Sequence, residues 1–301
     1  MLNNKSLALL LITLIYFCWV YFFVGLRPDH LSLIAIVLVS YFIHPFSKKI
    51  VTAFFLFIAY WVIYDSMRVY PNYLVNDIHI IEPYLFEKSL FGINFNNNTL
   101  SPNEYFIATS TTFLDVMSGL FYINWIPIPM LFATYLFFKN KYLLLQFFSA
   151  FLLVNLIGFI GYYLYPAAPP WYYAKYGDQV LFNTPGSCAG LANFDAFFNI
   201  DIFHNLYEKN ANVFAAMPSL HASYPIIVLI YAIKQKIRLG IIIFVIFLAG
   251  IWFSAVYSGH HYVIDLLAGG VCALIGIYLF DKILLKVPKI NNWLLNYSTK
   301  I

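Results

Sequence analysis

The chain has 301 residues, of which 62% are hydrophobic, 21% are aromatic and only 10% are charged, with a net charge of +4. So few charges exclude an ordinary soluble domain and indicate a polytopic membrane protein. The basic residues form no basic face, so we expect no nucleic acid partner. Because lipid offers backbone polar groups no other partner, the long apolar runs predict an all-α fold.

Eight apolar runs predict about eight transmembrane helices, since a bilayer core of about 30 Å needs roughly twenty residues at about 1.5 Å each. Six of them fall within residues 50–285 and are expected to form a catalytic core. Residues 1–49 would add two N-terminal helices, and residues 286–301 a cytoplasmic tail. The predicted spans are residues 6–26, 31–46, 50–68, 111–138, 142–165, 219–233, 240–257 and 262–285.

The lysines and arginines predict the orientation. With the N-terminus in the cytoplasm, five of the 17 lie outside and the other twelve lie inside, which follows the positive-inside rule. We therefore expect a multi-pass protein of a bacterial inner membrane, with cytoplasmic termini and its site on the periplasmic face (the lumenal face in a eukaryote). The five outside cations are Arg27, Arg68, Lys88, Lys175 and Lys209.

Two long segments, residues 69–110 and 166–218, fall on the same outer side. Loops of such length are uncommon unless they are functional. Both are rich in aromatic rings, which favour the headgroup region of a membrane. We expect them to re-enter the membrane or lie on its surface, and to roof a site.

Two histidines forty residues apart carry the functional prediction. His221 ends the sequence Pro-Ser-Leu-His, and His261 follows directly after His260. The two apolar runs between them, joined by a basic turn, predict a hairpin that crosses the bilayer twice and returns both histidines to one face. Asp265 follows His261 by four residues, a spacing that puts both side chains on one face of a helix.

This trio suits covalent catalysis on phosphorus. Asp265 would orient the ring of His261 through one nitrogen, leaving the other nitrogen as the nucleophile. His221 would protonate the leaving oxygen. Neither a metal nor another cofactor is needed. Two alternatives remain open: interfacial histidines that only cap a helix and bond loop carbonyls, or a zinc site formed by the same three residues.

The pattern Pro-Ser-x-His followed by His-x-x-x-Asp resembles the type 2 phosphatidic acid phosphatase superfamily, membrane enzymes that act on lipid phosphates. The resemblance implies that His261 is the nucleophile, His221 the acid and base, and Asp265 the orienting carboxylate. It covers the six predicted spans from residue 50 to residue 285.

Two departures from the phosphatase pattern matter. The early Lys-x6-Arg-Pro motif is absent, and Ala255 stands where the third motif has a phosphate-binding arginine. The chain has instead Ala-Pro-Pro-Trp-Tyr at residues 168–172, which resembles the inositol phosphorylceramide synthases and their bacterial relatives. Those enzymes move a phospho-head group between lipids. A phosphodiester carries one negative charge, so a site with fewer cations suits it.

Six further residues are predicted to bind substrate. Arg68 is the remaining cation for a phosphate oxygen, and Asp115 would either hold it or contact a sugar hydroxyl; a snorkelling role for Arg68 is the alternative. Trp171 and Tyr172, fixed by the neighbouring prolines, would stack on an inositol-like ring. A purely structural helix stop is the alternative there. Ser219 and His260 complete the set.

The prediction is a metal-independent membrane lipid phosphotransferase. It would take a phosphoinositol-type head group from a phospholipid donor and give it to a ceramide-like or other lipid alcohol acceptor. A lipid phosphate phosphatase of the same superfamily is the alternative. A transporter with an outer vestibule is disfavoured, because transporters place ionisable residues near the bilayer midplane. Ser219 and Ser258 lack the glycine motif that an intramembrane serine protease uses.

Overall fold

The computed structural model describes residues 4–208 and 212–301, so Lys209, one of the five predicted outside cations, lies outside the described residues. The described chain is helical, as predicted. Its only strands are a short antiparallel hairpin, in which Ile93 pairs with Leu100.

The first half of the described chain supplies eight helices and the two strands. They are α1 (Asn4–Trp19), α2 (Pro28–Ile43), α3 (Pro45–Ala53), α4 (Phe55–Ser66), α5 (Ile81–Phe91), β1 (Ile93–Phe95), β2 (Asn98–Leu100), α6 (Pro102–Ala108), α7 (Thr112–Tyr122) and α8 (Pro127–Lys139).

The second half supplies eight more. They are α9 (Lys141–Leu164), α10 (Pro170–Tyr176), α11 (Ala192–Phe198), α12 (Ile202–Glu208), α13 (Leu220–Gln235), α14 (Arg238–Tyr257), α15 (Val263–Tyr278) and α16 (Pro288–Ser298). Single π turns extend α1 to Val24 and α15 to Ile283. Short 3₁₀ turns lie at Met67–Val69, Asn72–Leu74, Ile123–Trp125, Ala189–Leu191 and Leu284–Lys286.

All eight predicted spans coincide with helices, but not all are continuous. Among the described residues, four helices are long and apolar enough to cross a bilayer, namely α1 and α15 with their extensions, α9 and α14. The pairs α3–α4 and α7–α8 are bent by 53° and 44°. The spans predicted over residues 50–68 and 111–138 are thus bent pairs of helices. Pro127 and Pro129 begin a new helix, because proline removes a backbone donor and clashes with the preceding turn.

The short helix α13, of 16 residues, lies at the centre of the bundle. It packs against α8, α9, α14 and α15, so its polar side chains find partners within the protein. The hydroxyl of Tyr224 donates to Oδ1 of Asn155 at 2.7 Å and contacts the hydroxyl of Tyr60 at 3.0 Å. This enclosure fixes the end of α13 that carries His221.

The two outer segments are joined to each other by main-chain hydrogen bonds. The amide of Ala168 donates to the carbonyl of His79 at 2.9 Å, and the amide of Ala167 donates to the carbonyl of Phe214 at 3.0 Å. Three extended pieces around residues 79, 167 and 215 thus run side by side in parallel. The Ala-Pro-Pro sequence is the middle piece, so it is fixed from both sides.

The first two helices are tied to the rest of the protein through Asp65 in α4. Its carboxylate accepts hydrogen bonds from Arg27 at 2.6 Å and from Nε2 of His30 at 2.8 Å. Arg68 donates to the same carboxylate at 3.0 Å. A second link runs from Trp19 Nε1 to the hydroxyl of Ser66. The division of the chain into an N-terminal pair and a separate core stays a prediction.

The contact between α13 and α15 is tight enough to test. A Cβ added at Gly269 would lie 2.1 Å from the carbonyl oxygen of Ser219, whereas one at the neighbouring Gly270 would meet nothing closer than 3.5 Å. We expect Gly269→Ala to lower the free energy of unfolding by about 1–3 kcal/mol through overpacking. Gly270→Ala is the matched control, and heating followed by size-exclusion chromatography in detergent is the measurement. Equal stability of the two variants would contradict the close approach.

Candidate active site

The site is built where α13 and α15 begin. Ser219 caps α13, its hydroxyl accepting from the amide of Ala222 at 3.4 Å. The amide of Ser219 donates to the carbonyl of Asp265 at 2.9 Å. This bond ties the first residue of one helix to the first turn of the other, and so places His221 opposite His261.

The loop between α14 and α15 carries the second histidine. Gly259 has φ of +75°, a conformation that favours glycine. The chain then turns back, and the amides of His260 and His261 both donate to the carbonyl of Ala255, at 3.1 and 3.0 Å. Two bonds to one carbonyl hold the histidine pair against the end of α14.

The three predicted catalytic residues lie together. Nδ1 of His221 is 3.3 Å from Nε2 of His261, and Nδ1 of His261 is 3.4 Å from Oδ2 of Asp265. The same Oδ2 accepts the amide of Tyr262 at 2.9 Å, which fixes the carboxylate. Asp265 is fully buried and His261 nearly so.

This geometry assigns the nitrogens of His261. Its Nδ1–H faces the carboxylate, so the lone pair lies on Nε2, directed at His221. Burial lowers the pKa of His261 to about 4, which keeps the ring neutral at physiological pH. A neutral imidazole that is oriented by a carboxylate and has its lone pair on Nε2 is a competent nucleophile.

His260 has a different environment from its neighbour. Its ring lies between those of Tyr207 and Tyr122, with centroids 4.3 and 5.5 Å away. Its Nε2–H donates to the carbonyl of Cys188 at 3.0 Å. Burial lowers its pKa to about 3. His260 is thus a neutral, fixed ring in the wall of the site.

The three histidines line a small cavity of about 50 Å³. That is room for one or two waters, so a lipid head group can enter only if the walls move apart. Among the described residues that line it there is no lysine or arginine. The other lining residues are Pro169, Trp171, Ser187, Tyr207, Asn212, Val213, Ala215 and Ala216.

The other predicted binding residues divide into two groups. Trp171 lines the cavity, and its amide donates to the carbonyl of Gly259 at 3.0 Å. Tyr172 is fully buried; its hydroxyl accepts from the amide of Leu181 and donates to the carbonyl of Gln179. Ser219 is a buried helix cap. Neither Tyr172 nor Ser219 lines the cavity.

Arg68 and Asp115 have partners of their own. Arg68 donates to Asp65, and Asp115 accepts from the hydroxyl of Tyr257 at 2.8 Å. Neither residue lines the histidine cavity. Their predicted contacts with substrate stay predictions.

Ala255, which stands where the phosphatase pattern has an arginine, is fully buried. It belongs to an apolar cluster that also contains Tyr122, Leu191 and Leu266. An arginine here would need space that apolar side chains occupy. In this protein, packed apolar side chains thus occupy the position of that arginine.

Two residues that hold the catalytic loop were missed by the sequence analysis. Glu87 of α5 accepts the amides of Val263 and Ile264 at 2.9 and 3.2 Å, which caps α15; its burial raises the pKa of its carboxyl. Asn103 donates to the carbonyl of His261 at 3.0 Å. Each of the two is hydrogen-bonded to a residue more than 150 positions away in the sequence, so no local spacing pattern could predict these contacts.

The profile of the PAP2 superfamily matches residues 99–279. A phosphoinositol dihydroceramide synthase from Bacteroides thetaiotaomicron is 43% identical over 297 residues, which cover 98% of this chain and 97% of that protein. An inositol phosphorylceramide synthase from Candida albicans is 30% identical over 192 residues, covering 62% of this chain and 39% of that protein.

The inositol phosphorylceramide synthase catalytic subunit of Schizosaccharomyces pombe is 27% identical over 258 residues, 83% of this chain and 58% of that protein. No solved structure gives a significant match. The family resemblance inferred from the histidine motifs and from Ala-Pro-Pro-Trp-Tyr is confirmed. The chain is a multi-pass membrane protein that belongs to the PAP2 superfamily, on the branch similar to the inositol phosphorylceramide synthases.

Proposed function

We propose that this protein transfers a phosphoinositol head group from a phosphatidylinositol donor to the primary hydroxyl of a ceramide-type acceptor. The chemistry rests on one observation: His261 lies 3.3 Å from His221 through Nε2 and 3.4 Å from Asp265 through Nδ1. The choice of substrates rests on the full-length similarity to the Bacteroides synthase.

The first half-reaction forms a phospho-histidine. Nε2 of His261 attacks phosphorus, and the bond from phosphorus to the diacylglycerol oxygen breaks. His221 enters the step as an imidazolium, donates its Nδ1 proton to that oxygen and becomes a neutral imidazole, so diacylglycerol leaves neutral. As Nε2 becomes bonded, the ring of His261 becomes cationic, and the carboxylate of Asp265 stabilises it through Nδ1–H.

The second half-reaction returns the protein to its starting state. The acceptor hydroxyl loses its proton to His221, and its oxygen attacks phosphorus. The bond from Nε2 to phosphorus breaks, and phosphoinositol leaves on the acceptor. His221 again carries its proton, so no net proton change occurs over the cycle.

The cavity walls suit a singly charged phosphodiester. Because no lysine or arginine lines the described part of the cavity, the positive end of α13 supplies the favourable field for the anion. A phosphomonoester, with nearly two charges, would be less well stabilised there. This contrast supports transfer over phosphate release.

We place the reaction on the periplasmic face of a bacterial inner membrane. The support is the excess of lysine and arginine at the opposite helix ends. A cysteine introduced at an exposed site in α12, such as His204, would be labelled by an impermeant maleimide from the periplasm in intact spheroplasts under this proposal.

The catalytic trio has graded expected effects. His261→Ala should abolish transfer, and His221→Ala should lower kcat by about 10²–10⁴-fold through loss of the acid. Asp265→Asn should lower kcat by about 10²-fold or more, because the orienting charge is lost. The assay is the transfer of labelled head group from phosphatidylinositol to ceramide in detergent. His204→Ala, an exposed histidine in α12, is the control, and normal turnover by His261→Ala would refute the proposal.

Transfer and hydrolysis differ in their need for an acceptor. We expect the wild-type protein to turn over phosphatidylinositol repeatedly only when ceramide is present, with no more than one equivalent of diacylglycerol released in its absence, and to do so at full rate in EDTA. Release of inorganic phosphate from a monoester without ceramide would favour the phosphatase alternative. Loss of activity on chelation, restored by zinc, would overturn the metal-free mechanism.

The acid limb of the pH profile tests the state of the nucleophile. Because burial lowers the pKa of His261 to about 4, its ring stays neutral as pH falls through 6.5. The value of kcat/KM, which reports the free enzyme, should therefore hold to about pH 5 and fall below that. Activity regained on return to pH 7 controls for unfolding. An acid limb centred near 6.5 would contradict a buried neutral nucleophile.

A further inference from the structure

A second and larger cavity adjoins the histidine cavity. It is a groove of about 760 Å³ on the outer side of the bundle, and Trp171 and Ser187 line both spaces. The groove is bounded by α5, α6, α10 and the loop that carries His261. A molecule in this groove would therefore lie next to the cavity that contains His221 and His261.

Two residues that line the groove have buried polar atoms without a partner among the described residues. These atoms are Oδ1 of Asn103 and the hydroxyl of Tyr262. Asn103 is 3% exposed and Tyr262 is 1% exposed. Buried polar atoms in proteins are nearly always hydrogen-bonded, so two orphans in one wall indicate a polar ligand.

The orientation of the Asn103 amide is determined by its other contacts. Its Nδ2 lies 2.7 Å from the carbonyl of Val256 and 3.0 Å from the carbonyl of His261. Only the NH₂ group can donate to two carbonyls, so the amide cannot be flipped. Oδ1 is therefore an acceptor without a partner among the described residues, and a hydroxyl or N–H group of a ligand can supply one.

The rest of the lining favours a ring with several hydroxyls. Tyr84 and Tyr173 stack with centroids 4.2 Å apart, and Trp171 adds a third aromatic ring. Lys175 and Glu104 contribute charges of opposite sign. Ile107 is the only branched aliphatic residue among the described lining residues, so the groove offers little to an acyl chain. Aromatic faces next to amide and hydroxyl groups are what a polyhydroxylated ring needs.

We propose that this groove binds the polyhydroxylated ring of the head group, with Asn103 and Tyr262 as the residues that recognise its hydroxyls. The inference rests on the proposed function and names the part of the protein that selects the donor. Asn103 also holds the carbonyl of His261, and Tyr262 is the next residue along the chain. Binding of the ring thus acts directly on the backbone that carries the nucleophile.

Tyr262→Phe is the sharpest test, because it removes only the unpartnered hydroxyl. In the inactive His261→Ala background, in lipid nanodiscs, we expect it to weaken binding of phosphatidylinositol by about five- to tenfold. Binding of phosphatidylglycerol, which lacks the ring, should not change. Asn103→Ala should weaken phosphatidylinositol binding as well. Tyr16→Phe, which removes another buried unpartnered hydroxyl far along the chain in α1, is the matched control.

A binding measurement keeps this inference separate from the proposed reaction. If phosphatidylinositol binds in this way but no transfer occurs, the proposed function fails and the groove assignment stands. Unchanged phosphatidylinositol affinity in Tyr262→Phe, or equal losses for both lipids, would overturn the groove assignment. Displacement of the bound lipid by free inositol would assign the site to the ring alone, whereas displacement only by phosphatidylinositol would assign it to the lipid-borne ring.

Discussion

The site depends on Asp265, which joins three parts of the protein at one residue. Its carbonyl accepts the amide of Ser219 and so fixes the start of α13. Its carboxylate accepts the amide of Tyr262 and faces Nδ1 of His261. The separation of the two catalytic histidines is therefore set by one side chain and its own backbone. A substitution of its side chain would remove the contacts with His261 and Tyr262, whereas the main-chain bond to Ser219 would remain.

The surrounding bundle makes this junction rigid. The central helix α13 is enclosed by four neighbours, and its approach to α15 leaves no room for a side chain at Gly269. Enclosure also explains why a span of 16 residues, with two tyrosines, is stable in this position. Its hydroxyl groups are satisfied by Asn155 and by main-chain carbonyls in place of water. Packing against neighbouring helices thus stabilises α13 in a way that its hydropathy alone does not.

Much of this site could be predicted from local spacing and from the lengths of the apolar runs. The four-residue spacing of His261 and Asp265 is a local helical property, and the hairpin length brings His221 to the same face. The contact of Asp115 with Tyr257 was not predictable, because short-range patterns do not specify long-range partners. The same holds for Glu87 and Asn103. The bonds of Arg68 to Asp65 and of Ser219 to Ala222 span three residues each, so local spacing could have indicated them. The bend at Pro127 could have been read from the sequence, since two prolines interrupt the run there.

The cap that Glu87 gives to α15 has a consequence for the order of assembly. Glu87 emerges from the ribosome about 176 residues before Val263, the amide it accepts. Until α15 has entered the membrane, this carboxylate has no helix end to bind and remains in water, where its charge carries no penalty. The catalytic loop is therefore completed among the last events of biogenesis, when an outer segment made early meets a helix made late. A chain that ends before α15 would contain both outer segments, residues 69–110 and 166–218, and yet would not hold His261 in its catalytic position.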